Sequence, residues 1–124
     1  MKQKNIPKLD EKDEAAVGLF VKLGMPKNVA KTLLYISQVE TCCSSDIEQG
    51  TDLRQPEVSI AMQELLKKKW VKRRSQKTEG KGRPVHIYQP SQPLTKIWDT
   101  FQEEKLNELS TIEHDFSNLK NLIE

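Results

Sequence analysis

Between Ser45 and Leu65 the chain carries two helix starts separated by little more than one glycine and a short polar connection, and few folds accommodate such punctuation. "SDIE", Ser45 to Glu48, has the form of a capping box, in which a serine hydroxyl accepts from the third helical amide and the glutamate side chain reaches back to the cap. Gly50 is expected to end this helix after a turn or two. After "TDLR", Pro56 suits a first helical turn, because its missing N–H would have no partner there. Val58, Ala61/Met62 and Leu65 then recur at spacings of three to four. The expectation is a short helix, a tight turn and a longer helix whose buried stripe is Val58, Met62 and Leu65. Its other face carries Gln55, Ser59, Gln63 and Lys67. That face is polar and suits the reading of base edges in a major groove, although an amphipathic surface helix shows the same pattern.

The flanks narrow the choice. Residues 10–23 begin with Asp10 and further acids, place Ala16, Phe20 and Leu23 at helical spacing, and stop at Gly24. A second helix is expected from Pro26 to about Val39, with Val29/Ala30 and Leu33/Leu34 repeating and Tyr35 and Ile36 widening the apolar face. Downstream, Trp70, Val71 and "KRRSQKTEGKGRPVHIYQP" predict two strands joined by a long basic loop. Val85, Ile87 and to a lesser degree Tyr88 are expected to supply the apolar contact, with His86 and Gln89 toward solvent. A hairpin that follows a helix-turn-helix is a wing. In it Gly80 and Gly82 shape the tip, Lys81 and Arg83 meet phosphates or a minor groove, and Pro84 stiffens the return.

Charge points to the same partner. The net charge of +2 hides nine Lys and Arg against one acid, Glu79, between residues 67 and 83, while residues 91–124 hold three Lys and seven acids. Such a stripe is the electrostatic footprint of a nucleic-acid or anionic-surface binder. The chain has no apolar run of the roughly 18 to 20 residues that cross a bilayer, and "MKQKNIPKLDEKDE" lacks the apolar core of a signal peptide. A cytoplasmic protein without a membrane partner is therefore expected.

The segments "LGMPKNVAKTLLYI", "SDIEQGTDLRQPEVSIAMQELLKKKWV" and "GKGRPVHIYQP", about residues 23–90, together resemble the winged helix-turn-helix domain of prokaryotic, particularly archaeal, transcriptional regulators of the TrmB and MarR type. The resemblance implies a mainly α fold with a small β-hairpin wing. One departure is Lys69, where such families often place glycine before the first strand of the wing.

From Leu94 onward, Trp98, Phe101, Leu109, Ile112, Phe116, Leu119 and Ile123 fall mostly at alternating spacings of three and four, interrupted by Lys105, where Leu106 takes over. Roughly thirty residues rising 1.5 Å each make a helix of about 45 Å, too long to bury itself on so small a domain. Its seam is expected to pair with a second copy; a helix folded back on its own domain is the alternative. The predicted organisation is a winged helix-turn-helix domain over residues 1–91 and a dimerisation helix over 92–124.

Catalytic chemistry is not expected. His86 and His114 lie far apart, and no glycine-rich phosphate loop, zinc spacing or nucleophile signature is present, so no enzyme activity, cofactor or metal is assigned. Cys42 and Cys43 are adjacent and cannot staple distant segments. They lie where ArsR-type sensors carry a Cys-x-Cys pair, but that spacing is not reproduced, and two thiolates alone give an incomplete soft-metal site. A thiol sensor at Cys42/Cys43 stays an alternative to incidental reduced cysteines. The functional expectation is a homodimeric, sequence-specific regulator of transcription, a repressor by resemblance, binding double-stranded DNA. Arg54, Gln55, Ser59, Gln63 and Lys67 would act from the recognition helix, and Arg73, Arg74, Lys77, Lys81 and Arg83 from the wing and its flanks. A winged-helix module that docks an acidic protein, or a thiol- or metal-responsive repressor, is the alternative.

Overall fold

A computed structural model describes residues 9–76 and 85–124 of the 124-residue chain. The chain divides into two compact units, Met1–Pro93 and Leu94–Glu124. The first holds α1 (Glu11–Lys22), α2 (Lys27–Val39), α3 (Ser44–Thr51), α4 (Gln55–Lys67), β1 (Val71–Gln76) and β2 (Val85–Pro90); the second is α5 (Leu94–Ile123).

α1 starts as its sequence requires. The Asp10 carboxylate accepts from the Asp13 N–H at 2.9 Å, and the Asp13 carboxylate accepts from the Asp10 N–H at 2.9 Å. The bond from the Asp13 backbone holds the Asp10 carboxyl below the usual carboxylate range. The buried face differs from expectation: Val17 is buried, Ala16 and Phe20 are half-buried, and Leu23 is exposed. Gln38 on α2 donates to the Asp13 carboxylate at 2.6 Å, which fixes the α1 edge carrying Asp13 and Val17 against α2.

α2 is the centre of the core. From Val29 to Ile36 every residue but Lys31 is buried, and the helix packs against α1, α3, α4 and β2. A helix apolar almost all round must be surrounded. Tyr35 belongs to this core, and burial pushes its hydroxyl up to about 12, so the ring stays neutral through the physiological range.

α3 begins earlier than "SDIE" suggests. Its cap is Cys43, whose N–H donates to the Asp46 carboxylate at 3.1 Å. The reason lies in the residue before it. Cys42 is buried and pairs with Tyr88 on β2, N–H to O at 3.1 Å and O from N–H at 2.7 Å, so the backbone is held extended up to Cys42 and turns into helix at once. Gly50 does not stop the helix either. It lies buried inside the last turn, where a side chain would run into the Tyr35 ring. The stop is Asp52, in the left-handed conformation at φ 64°. The Thr51 hydroxyl fastens the turn, donating to Ile47 O at 2.6 Å and accepting from the Leu53 N–H at 3.3 Å.

β1 and β2 form an antiparallel hairpin in which Arg73 faces Tyr88 and Arg74 faces Ile87. Tyr88 is the buried residue of β2, whereas Val85 is exposed and Ile87 half-buried, a correction to the expected apolar pair. The cause is again the Cys42 bridge, which closes over Tyr88 rather than its neighbours. Lys69 stands at φ 64°, the left-handed conformation that glycine adopts most easily.

Candidate nucleic-acid interface

α4 follows α3 after Asp52, Leu53 and Arg54. Leu53 is buried and anchors the turn, and the Arg54 N–H donates to the Glu57 carboxylate at 2.8 Å, leaving the Arg54 side chain exposed at the start of the helix. α4 buries Val58, Ala61, Met62 and Leu65. The stripe expected from spacing is therefore present, widened by Ala61. On the opposite side Gln55, Ser59, Gln63 and Lys67 are all exposed. At about 100° per residue these four share one arc of the helix surface.

That arc contains a residue that spacing alone did not single out. Ile60 is 67% exposed, between Ser59 on the polar arc and Glu57 and Glu64. It also lines an open pocket of about 300 Å³ with Pro26, Lys27, Val29, Glu57 and Glu64. A helical projection of α4 would have revealed it.

Beyond α4 the basic residues continue along the chain. Lys67, Lys68, Lys69, Lys72, Arg73 and Arg74 are all exposed. Trp70 sits buried among them and fixes the corner: its N–H donates to Leu65 O at 3.2 Å, and its carbonyl accepts from the Ser91 N–H at 2.9 Å. Lys68 lies over the indole ring, 5.0 Å from its centroid. Because residues alternate across a strand, Lys72 and Arg74 occupy one face of the hairpin and Arg73 the other. Lys77, Lys81 and Arg83, with Gly80, Gly82 and Pro84, lie outside the described residues.

α5, taken by itself, exposes Trp98, Leu106, Leu109, Ile112, Phe116, Leu119 and Ile123, each at half or more of its surface. Phe101, expected in this row, is 6% exposed in the single chain, as Ile97 is at 0%, and neither belongs to the exposed seam.

The cysteines are not equivalent. Cys42 is a buried core residue and Cys43 a half-buried helix cap, its Sγ 3.3 Å from Ser45 Oγ. Among the described residues no group of three or more His, Cys, Asp or Glu could hold a metal ion, and no helix is long and apolar enough to cross a membrane.

No protein-family model and no curated protein matches the chain. Among solved structures it is similar to TrmBL2, an archaeal chromatin protein described as showing a novel mode of DNA binding, with a TM-score of 0.57 and 17% identity, covering 89% of this chain and 42% of that one. It is also similar to Pex from Synechococcus sp. strain PCC 7942, with a TM-score of 0.47 and 16% identity over 77% of this chain and 96% of that one. For the circadian clock associated protein Pex from Anabaena the values are 0.46 and 17%, over 80% and 96%. This chain thus spans about two fifths of the length of TrmBL2. The likeness to TrmBL2 extends to the fold: mainly α, with a winged helix-turn-helix and a long C-terminal helix.

Proposed function

We propose that this chain is a sequence-specific, duplex-DNA-binding regulator of transcription in the cytoplasm, of the TrmB/MarR-like type, acting as a homodimer and as a repressor. α4 enters the major groove, Arg54, Gln55, Ser59 and Gln63 read base edges, and Lys67, Arg73 and Arg74 engage phosphates, with Lys77, Lys81 and Arg83 assigned the same role from the sequence. A dimer seated over a promoter blocks it by occupancy, which is the simplest route to repression. The seam of α5 joins the two copies.

The observation that carries the reading is the composition of the exposed side of α4 and of the segment after it. Gln55, Ser59 and Gln63 are amides and a hydroxyl with free access to solvent, and six cations from Lys67 to Arg74 follow within a few residues, all exposed. Amides and hydroxyls supply the paired donors and acceptors that base edges demand. Clustered cations supply affinity through counterion release.

Two pairs of variants separate the roles. Arg73→Ala with Arg74→Ala is expected to weaken binding to all duplexes alike and to reduce the salt slope by about 0.9 per lost phosphate contact. Gln55→Ala with Ser59→Ala is expected to leave that slope in place and to shrink discrimination between sites, by about 1 to 3 kcal/mol for each lost bidentate contact. Fluorescence anisotropy at several salt concentrations reads both. The assignment fails if the arginine pair changes sequence preference and the polar pair changes only the salt slope.

A further inference from the structure

Ile60 has no task in the reading so far. It takes no part in the buried stripe of Val58, Ala61, Met62 and Leu65, and it lies 67% exposed on the arc that also presents Ser59 and Gln63. A single exposed isoleucine is unremarkable on most surfaces. Here its neighbours make it informative, because Gln55, Ser59, Gln63 and Lys67 all carry hydrogen-bonding or charged ends.

A major groove offers one apolar group at the base edges, the 5-methyl of thymine. On a helix lying in that groove, a branched aliphatic side chain among polar readers has this methyl as its natural counterpart. Gln63 lies three residues on, the next turn of the same arc, and a glutamine amide matches the N6 and N7 edge of adenine. Glu57 and Glu64 border Ile60 on the side away from Ser59.

We propose that Ile60 is a specificity-determining residue that contacts the 5-methyl group of a thymine, so that the preferred half-site holds a thymine close to the base read by Gln63. The inference rests on the reading that α4 enters the major groove.

Deoxyuridine provides the test, since it pairs as thymine does and lacks only the methyl. A preferred duplex is first selected from a random-sequence pool with the full-length protein, and each thymine is then replaced singly by deoxyuridine. One position in each half-site is expected to lose about three- to fivefold in affinity, the value of one buried methyl group. Ile60→Ala should bind the thymine duplex more weakly by at least that factor and show no further loss at that deoxyuridine. Because Ile60 is exposed, its melting temperature should match that of the wild type. A flat deoxyuridine scan in the wild type would overturn the proposal, as would an undiminished loss in Ile60→Ala. If the pool yields no preferred sequence, the reading of α4 as a recognition helix falls, and this inference falls with it; a preferred sequence with a flat scan removes this inference alone.

Discussion

Gly50→Ala should destabilise the protein by about 1 to 3 kcal/mol, the usual penalty for overfilling a packed core, even though alanine is the better helix former by close to 1 kcal/mol. The conflict is steric. A Cβ at position 50 would stand 2.7 Å from Cζ of Tyr35 and nearer still to its Cε1 and Cδ1. Tyr35 is 1% exposed and held on the central helix, so its ring has no vacant volume to move into. Either α3 retreats from α2 or the ring leaves its rotamer, and each disturbs the support on which α4 stands. Gly18→Ala is the matching control, because no atom lies within 4 Å of a Cβ built there and the residue is exposed in the interior of α1. It should stabilise by about 0.5 to 1 kcal/mol. Equilibrium denaturation with urea measures both, and the opposite signs are the point of the comparison. A Gly50→Ala protein as stable as the wild type would mean that α3 and α2 do not pack as described.

Placing charge on the α5 seam should have the largest effect on DNA binding. Leu109, Ile112, Phe116, Leu119 and Ile123 alternate at spacings of three and four, and all are at least half exposed in the single chain. Left in water, such a row forgoes the roughly 1.5 to 3 kcal/mol that each large apolar side chain gains on burial. A second copy laid along the same row recovers it by seating side chains between one another. Phe116→Asp with Leu119→Asp is expected to convert a dimer to a monomer in sedimentation equilibrium. DNA affinity should fall by about a hundredfold or more, since two linked binding units gain 10² to 10⁴ over one. Both residues are at least half exposed in the single chain, so the near-ultraviolet signal of the buried Trp70 should persist. A wild-type chain that sediments as a monomer at micromolar concentration would remove the dimer from the account.

Periodicity and capping chemistry made most of this fold legible in advance. The apolar repeat of α4, the acids at the start of α1 and the long alternating run of α5 are local signals, and the structure follows them. Contacts between distant segments were harder to foresee. Nothing near "SDIE" reveals that Cys42 pairs with Tyr88, yet that bridge moves the start of α3 to Cys43 and decides which β2 residue is buried. Gly50 looked like a terminator because close approach by a tyrosine fifteen residues earlier has no local signature. Lys69 is the reverse case: the family resemblance marked the position, and the residue stands there at φ 64°. For the candidate interface, charge and polarity picked out the arc of α4 and the cations of β1. Ile60 escaped because an apolar residue on a helix is first assigned to a core.

The exposed side of α4 and the basic residues after it are expected to bind duplex DNA in a sequence-dependent way. The most direct measurement is fluorescence anisotropy of the wild-type protein with a duplex selected from a random pool and with its scrambled counterpart, across a series of salt concentrations. The selected duplex is expected to bind tighter by about a thousandfold or more, with log K falling by about 0.9 for each phosphate engaged as log salt rises. Equal binding to both duplexes, or no binding to either at low salt, would contradict it.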